Sequence, residues 1–270
     1  MNSREILIYY AIKYKGNWDL IFDAVNVVQN PESKTEIDED EAKKVLKNVN
    51  SPVITILDEE YPDSLKQITK PPFVLFYHGD ISLLKKENKC AVVGSRKCTE
   101  YGLYYTNEFV KKLCNDFVIV SGLAYGIDAA AHRSCIHYQG KTIAVLGCGI
   151  NVCYIKDNLD IYEECKKTHL VISEYPDDTP PNPLNFPIRN RIIVGISDVL
   201  LVSEGKNASG TQITALLMAN KNGNVCCIPT TIDNDSICNT LIKDGAFLVA
   251  TPEDVYEVAR VIPKRPIFEK

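Results

Sequence analysis

Short apolar runs recur along the chain from residue 90 onward, and most of the segments between them have the length of one helix. The runs are rich in β-branched residues and show no polar alternation, which is typical of strands that are buried on both faces. Seven strands are predicted: Cys90 to Val93, Phe117 to Val120, Thr142 to Leu146, Leu170 to Ile172, Val199 to Val202, Val225 to Ile228 and Phe247 to Val249. Strands that alternate with helices in this way predict a doubly wound α/β fold with a mostly parallel sheet.

The first fifty residues follow a different pattern, in which three apolar stretches each have the length of a short helix. These stretches run from Ser3 to Tyr14, from Trp18 to Val28 and from Asp38 to Leu46. The third begins with acidic residues and ends with lysines, an order that suits the helix dipole. We therefore predict a small helical N-terminal domain over residues 1–50.

Residues 51–88 hold four prolines around two short β-rich runs, Val53 to Leu57 and Phe73 to Tyr77. Turn residues bound both runs, which is typical of short strands. This segment is predicted to be a linker that joins the edge of the sheet. The main domain then spans residues 89–260.

The last helix is predicted from the run Thr251-Pro252-Glu253-Asp254. This run places a capping residue, a proline at the first helical position and acids in the first turn. Residues 261–270 are then expected to form a C-terminal tail that is too short for a winged-helix domain.

The overall charge limits how this protein can bind a polyanion. Its 30 Lys and Arg against 35 Asp and Glu give a net charge of −5, so bulk attraction to nucleic acid is excluded. The charge is uneven, however: residues 85–145 hold nine basic and five acidic residues, whereas residues 151–185 hold three basic and seven acidic ones. Any nucleic-acid site is therefore expected in a local basic region.

Compartment and redox state follow from other features of composition. The longest apolar runs are far shorter than the roughly 20 residues that a membrane span needs, and the N-terminus lacks the pattern of a secretory signal. We expect a cytoplasmic protein with no membrane partner. Its ten cysteines are scattered, and several, such as Cys90, Cys226 and Cys227, lie in apolar runs. They are predicted to be reduced core thiols with no bound metal.

Small residues follow several predicted strands, in the segments Gly94-Ser95-Arg96, Ser121 to Gly126, Gly147 to Gly149 and Ser203 to Thr211. The carboxyl ends of parallel strands share one edge of a sheet, where ligands bind and helix N-termini offer N–H groups to anions. A phosphate-bearing ligand is therefore predicted. The alternative is that these residues serve only turns and helix caps.

Enzyme motifs are not found along these loops. The segment Gly147 to Val152 lacks the third glycine of a dinucleotide fingerprint, and no P-loop occurs. Asp128 and His132 share one face of a predicted helix, which could form an acid/base or metal pair. A histidine in an alanine-rich helix is, however, more typical of a packed residue. No catalytic residue, cofactor or metal is therefore predicted.

A second basic motif, Phe186-Pro187-Ile188-Arg189-Asn190-Arg191, opens a predicted helix. Guanidinium groups bind phosphates, and an exposed ring can stack on an unpaired base, a combination typical of single-strand binding. The alternative is that Phe186 belongs to the core and the arginines pair with acids such as Glu174. Both interpretations remain open at this point.

Five ordered blocks are specific enough to indicate a family: Val93 to Arg96, Ser121 to His132, Gly140 to Gly147, Phe186 to Arg191, and Ser209-Gly210. With these blocks the sequence resembles the DNA-processing protein A (DprA, or Smf) family. The resemblance implies a Rossmann-like domain that binds and protects single-stranded DNA. It also implies a homodimer that loads the recombinase RecA during natural transformation, and no established catalysis. The exposed edge strands of such a sheet would also favour a homodimer.

Carried over by position, the resemblance implies that Arg96 and the loop at Ser121-Gly122 contact phosphates, and that the Phe186 motif lines a DNA pocket. Lys141 is a weaker candidate. The sequence departs from the usual family pattern at Tyr154-Ile155 and at Pro229-Thr230. The predicted DNA-binding residues are Gly94, Ser95, Arg96, Ser121, Gly122, Lys141, Phe186, Arg189, Asn190, Arg191, Ser209 and Gly210.

A second function is a nucleotide-processing enzyme of the lysine-decarboxylase-like group, which includes phosphoribohydrolases. The signature of that group can be laid on Gly210-Thr211. Its acidic position then falls on Thr214, and its earlier glycines fall on Asn207 and Ala208. The required carboxylate is missing at that position, so single-stranded DNA binding is the favoured function.

Overall fold

The computed structural model describes residues 1–29, 37–232 and 235–261. Within these residues nine strands form one sheet in the order β1-β2-β6-β5-β4-β3-β7-β8-β9. Strands β3 to β9 pair in parallel, whereas β1 and β2 form an antiparallel extension beside β6. The strands are β1 (Val53–Thr55), β2 (Val74–Gly79), β3 (Lys89–Gly94), β4 (Val118–Ser121), β5 (Thr142–Leu146), β6 (Leu170–Ser173), β7 (Val199–Glu204), β8 (Asn224–Cys227) and β9 (Phe247–Leu248).

Helices cover both faces of the sheet, as a doubly wound fold requires. The helices are α1 (Ser3–Lys13), α2 (Trp18–Gln29), α3 (Glu39–Lys47), α4 (Asp63–Lys66), α5 (Glu100–Leu113), α6 (Ile127–His137), α7 (Leu159–Thr168), α8 (Asn185–Gly195), α9 (Gly210–Asn220), α10 (Ile237–Lys243) and α11 (Pro252–Ala259). Short 3₁₀ turns occupy Ile81–Lys85 and Lys156–Asn158. The predicted Rossmann-like architecture is confirmed.

The strand interiors form a core on each face because successive side chains point to opposite sides. On one face the strand side chains pack with α4, α8, α9 and α10. The other face is divided: α5, α6 and α11 cover its β3, β4, β7 and β8 part, and α1, α2, α3 and α7 cover its β2, β5 and β6 part. The N-terminal helices therefore share one continuous hydrophobic core with the sheet.

The predicted helix signals form the caps that their sequences suggest. Asp38 caps α3 by accepting hydrogen bonds from the backbone N–H groups of Asp40 and Glu41. Thr251 and Asp254 form a capping box at the start of α11, with Pro252 at the first helical position. All three predicted N-terminal helices are present, whereas the domain boundaries at residues 50 and 88 stay a prediction. The predicted tail lies outside the described residues apart from Val261.

One predicted strand differs from the expectation of burial on both faces. Phe247 and Leu248 are about half exposed, whereas Val249 is buried. The reason is that, in the sheet formed by the described residues, β9 is the last strand and pairs only with β8.

Two further findings concern composition. All ten cysteines are free thiols, and nine of them are buried. Burial raises the pKa of the Cys226 thiol to about 12. Among the described residues, no helix is both long and apolar enough to cross a membrane.

Candidate nucleic-acid interface

The loops after β3, β4 and β7 are tied together at the carboxyl edge of the sheet. The Ser95 N–H donates to the Glu204 carbonyl at 2.8 Å, and the Ile127 N–H donates to the Ser95 carbonyl at 3.2 Å. Gly126 has a φ of +72°, and a Cβ there would lie 2.2 Å from the Ser95 oxygen. Gly94 is equally constrained, because its Cβ would lie 2.6 Å from the Glu204 oxygen. These glycines therefore allow the loops to converge, which places Arg96 at the carboxyl edge of the sheet.

Arg96 and Phe186 meet at this edge of the sheet. Arg96 is exposed and forms no ion pair within the described residues, and its Cζ lies 5.7 Å from the centroid of the Phe186 ring. Phe186 is half-buried, and its ring lies 5.5 Å from that of the exposed Tyr154. A side chain at Gly147 would lie 2.7 Å from the Phe186 ring, so the absence of one leaves room for it. A cation and two partly exposed rings thus share one surface, which we call the rim.

Arg189 is not on this surface, which corrects the expectation that it contacts phosphate. Its guanidinium is buried and donates hydrogen bonds to the carbonyl oxygens of Gly122 and Val145. Burial lowers the pKa of this guanidinium, and the nearby Asp128 carboxylate opposes that change. A Cβ on Gly122 would lie 2.4 Å from the Arg189 Nη2. Arg189 therefore supports the loop after β4 from beneath.

Arg191 is also buried, so the expectation of direct phosphate contact is corrected here too. Its Nη2 donates to both oxygens of Glu174, at 2.6 and 2.7 Å, and its Nε donates to the Lys70 carbonyl at 2.8 Å. Burial raises the pKa of Glu174, and the Arg191 charge opposes that rise. The alternative pairing with Glu174 is confirmed for Arg191. This pair joins α8 to the end of β6.

Ser121 and Gly122 are buried beneath the rim. The Ser121 hydroxyl donates to the Val92 carbonyl at 2.6 Å. The Gly122 N–H donates to an Asp128 oxygen, which also accepts from the Ala124 N–H. The donors predicted for phosphate contact in this loop are therefore used by the protein itself.

The remaining predicted residues lie in two places. Asn190 is half-buried and donates to the Thr214 hydroxyl at 2.8 Å, which links α8 to α9. The Ser209 hydroxyl donates to the Lys206 carbonyl and does not cap α9. Gly210 is exposed, and a Cβ there would have nothing within 4 Å. The start of α9 is thus open to solvent at the carboxyl edge.

Lys141 lies at the opposite edge of the sheet. It directly precedes β5, and its Nζ donates to the Thr168 carbonyl, just before β6, at 2.9 Å. Because the parallel strands all point the same way, their amino ends lie away from the rim. Lys141 is therefore removed from the candidate site.

Three exposed residues near the rim were not predicted as binding residues. Lys97 follows Arg96 and forms no ion pair within the described residues, and Tyr125 is 45% exposed in the loop between β4 and α6. Tyr154, which belongs to a departure from the family pattern, is 54% exposed. The sequence signal for all three is an aromatic or basic residue in a loop that follows a parallel strand.

Asp128 and His132 lie on α6, as predicted, and both are buried. Burial raises the pKa of Asp128, whose carboxylate holds the loop after β4. The His132 Nδ1 lies 2.7 Å from the Thr142 hydroxyl, and burial lowers the pKa of this imidazole to about 3. Both side chains are thus packed parts of the structure, Asp128 beneath the rim and His132 beside the amino end of β5.

The loop that follows β7 can be compared with the phosphoribohydrolase signature. Thr214, at the acidic position of that signature, is buried, and its hydroxyl donates to the Gly210 carbonyl at 2.9 Å. Asn207, at one of the glycine positions, donates to Asp235 at 2.6 Å. Glu204, at the end of β7, does carry a carboxylate, and it accepts hydrogen bonds from the N–H and hydroxyl of Thr99.

The family model for DNA recombination-mediator protein A matches residues 52–260. DNA processing protein DprA from Bacillus subtilis (strain 168) is 39% identical over 207 residues, which cover 76% of this chain and 70% of that protein. The same-named protein from Streptococcus pneumoniae (strain ATCC BAA-255 / R6) is 42% identical over 206 residues, which cover 76% of this chain and 73% of that protein.

Two solved structures extend this similarity to the fold. The X-ray structure of DNA processing protein A from Streptococcus pneumoniae matches with a TM-score of 0.79 and 36% identity, over 94% of this chain and 92% of that one. DNA processing protein A from Helicobacter pylori, solved for its single-stranded DNA binding mode, matches with a TM-score of 0.70 and 26% identity. That match covers 77% of this chain and 95% of the other.

Proposed function

This chain belongs to the DNA recombination-mediator protein A family, and we propose that it binds single-stranded DNA along the rim at the carboxyl ends of its parallel strands. The observation that carries the proposal is the contact between the exposed Arg96 and the half-buried Phe186. A guanidinium for phosphate and a ring for a base are the two elements that single-strand binding needs. The single-stranded DNA binding described for the Helicobacter pylori protein supports the same assignment.

Phosphate contacts come from the exposed cations of the rim. Arg96 and Lys97 are adjacent, and neither forms an ion pair within the described residues. The net charge of −5 means that these local contacts, rather than the overall field, attract the strand. The open N-terminus of α9 at Gly210 offers further backbone N–H groups on the same edge.

Base contacts come from the aromatic side chains. Phe186 and Tyr154 form a tilted pair whose centroids are 5.5 Å apart, and Tyr125 is exposed on a neighbouring loop. Every base has a flat π-face, so stacking on such rings tolerates any sequence. We therefore propose binding with little base preference.

Arg189 and Arg191 act as positioning residues in this proposal. Arg189 holds the Gly122 loop, and Arg191 holds α8 against Glu174. Both therefore act through the shape of the rim rather than through phosphate. Phe186 lies one turn before Arg189 on α8, so a shift of this helix would move the ring.

The proposed role is binding without turnover. The phosphoribohydrolase alternative needs a carboxylate where Thr214 stands, and that residue is engaged with Gly210 and Asn190. The buried Asp128 carboxylate is likewise held by backbone N–H groups. These contacts favour a binding protein over a hydrolase.

The wider role is also proposed from the family. We propose that the protein is cytoplasmic, protects incoming single strands and loads the recombinase RecA during natural transformation. We further propose a homodimer, which is supported by β9, the edge strand of the sheet within the described residues, where Phe247 and Leu248 are about half exposed. Sedimentation at micromolar concentration that shows only a 30.2 kDa species would contradict the dimer.

A gel-shift series tests the central proposal. The protein is titrated against labelled single strands, and unlabelled duplex or nucleoside monophosphate is added as competitor. Binding that resists both competitors supports the proposal, whereas release of free base from the monophosphate favours the hydrolase. A folded Arg96→Ala, Lys97→Ala, Phe186→Ala variant that binds single strands like the unmodified protein would exclude the rim as the site.

A further inference from the structure

A cavity of about 730 Å³ lies on the side of α8 away from Phe186. The turn between α1 and α2 forms one wall, and the loop before α8 forms another. Its volume is in the range of sites that hold a small organic ligand. Its lining includes Tyr14, Trp18, Tyr175, Asn185, Ile188 and Leu217.

Tyr175 supplies a phenol group to the lining of the cavity. This residue is only 5% exposed, yet its hydroxyl forms no hydrogen bond within the described residues. Its oxygen is not among the fully buried polar atoms without a partner, so the hydroxyl is accessible and can bond to water or to a ligand. Gly16 packs against the ring, since a Cβ there would lie 2.9 Å from Tyr175 Cδ1. The Tyr175 ring is therefore held against the α1–α2 turn that forms one wall of the cavity.

The charges around the cavity leave one positive charge unbalanced. Arg191 is paired with Glu174, and Lys70 is paired with Asp19 at 2.6 Å. Lys15 is exposed on the α1–α2 turn and forms no ion pair within the described residues. One free cation beside aromatic walls matches a ligand with one negative charge and a flat ring. A single nucleotide unit, with a base and one phosphodiester, has this chemistry.

The cavity is close to the rim because both use the first turn of α8. Asn185 and Ile188 line the cavity, whereas Phe186, between them in sequence, meets Arg96 at the rim. The two sites are therefore separated by the thickness of one helix, about 10–12 Å with side chains. A DNA strand that crosses the rim at Phe186 needs only to pass the start of α8 to reach the cavity.

We propose that this cavity binds one nucleotide unit of the strand that crosses the rim, with Tyr175 on its polar atoms and Lys15 on its phosphate. The proposal rests on the proposed function for its source of nucleotide. It extends the DNA path beyond the rim to the junction of the N-terminal helices with the sheet.

The only tryptophan of the chain gives a direct measurement, because Trp18 lines the cavity. Its fluorescence is followed while the full-length protein is titrated with oligothymidylates of increasing length, or with thymidine monophosphate. We expect the emission to change with strands long enough to pass α8. Oligomers that only span the rim should bind in a gel shift without that change.

Two variants test the groups that the proposal assigns. The salt slope is the dependence of log affinity on log salt concentration. Lys15→Ala should reduce this slope by about 0.7 for long DNA strands and leave it unchanged for short ones. Tyr175→Phe should weaken long-strand binding about five-fold, as expected for one hydrogen bond, without lowering the thermal midpoint. Lys167→Ala is the matched control, since Lys167 is an exposed lysine at the end of α7, near the amino ends of the strands.

The outcomes separate the two proposals. If single strands bind but neither ligand changes Trp18 emission and both variants bind normally, the cavity proposal is overturned and the proposed function stands. If no single strand binds, the proposed function fails. A Trp18 response to thymidine monophosphate alone would then keep the nucleotide chemistry of the cavity and overturn the strand as its source.

Discussion

The motif Phe186 to Arg191 places two kinds of residue within two turns of one helix. Phe186 lies at the rim beside the exposed Arg96, whereas the guanidinium groups of Arg189 and Arg191 are buried below it, on Gly122 and Glu174. Phosphate recognition needs N–H groups that a ligand can reach, and of these three guanidinium groups only that of Arg96 is exposed. The comparison shows that a basic motif typical of DNA binding can contribute mainly to the shape of the surface.

The largest expected effect is on Arg189, Arg191 and Glu174, the residues beneath the rim that we call the buried layer, through Arg191→Met. This change leaves the Glu174 carboxylate buried without its partner, and we expect the free energy of unfolding to fall by about 3–5 kcal/mol. Denaturant titration measures it. Arg191→Met combined with Glu174→Gln should recover much of the loss, and Arg96→Ala should stay within about 0.5 kcal/mol of the unmodified protein. Equal losses for Arg96→Ala and Arg191→Met would remove the distinction between the rim and the buried layer.

A second effect on stability depends on pH and comes from His132, which is buried beside the amino end of β5. The pKa of His132 is about 3 in the folded protein, against an ordinary value of 6.5, so below pH 6.5 the unfolded chain binds a proton that the folded chain does not. Stability is then lost as the pH falls, by about 2 kcal/mol between pH 7 and pH 5. Denaturant titrations at both pH values measure it. His132→Gln should remove this part of the dependence, and an unchanged dependence in that variant would contradict the assignment.

On the rim, Phe186→Ala is expected to weaken single-strand binding by about 1–3 kcal/mol through lost stacking. The salt slope should hardly change, because no phosphate contact is lost. Fluorescence anisotropy at several salt concentrations measures both quantities. The matched control is Tyr104→Ala, since Tyr104 is an exposed ring on α5. Loss of thermal stability in proportion to the loss of binding would place Phe186 in the core instead.

The smallest expected effect is a change of slope. Arg96→Ala should reduce the dependence of log affinity on log salt by about 0.7, measured in the same titrations. Lys141→Ala removes the same charge at the amino ends of the strands and should leave the slope unchanged. A similar reduction in both variants would mean that the DNA does not bind specifically at the carboxyl edge of the sheet.

The fold was predictable because its signals are local. Runs of β-branched residues predict the interior strands, and Thr251 with Pro252 predicts the start of α11. The exposed side chains of β9 were missed because burial depends on how many neighbours a strand has. Nothing in the run from Phe247 to Val249 shows that it ends the sheet.

The candidate site was predictable only in part. The loop sequences predict that Arg96 and the Phe186 motif meet at one edge of the sheet. They do not show which guanidinium faces solvent, because that depends on distant groups, the Gly122 carbonyl and Glu174. The position of Lys141 at the opposite edge of the sheet could have been inferred from the sequence. Lys141 directly precedes β5, whereas the rim lies where the parallel strands end.

The strand order also affects how the protein is made. Strand β3 lies between β4 and β7, but β7 begins at Val199, roughly a hundred residues after β3 ends at Gly94. At about 5–20 residues per second, ribosomes need roughly 5–20 s to synthesise that interval. Throughout it, β3 presents its unpaired backbone on the side that β7 later fills, an edge open to wrong pairing. Slower translation between these strands should therefore lower the yield of correctly folded protein, even though no amino acid changes.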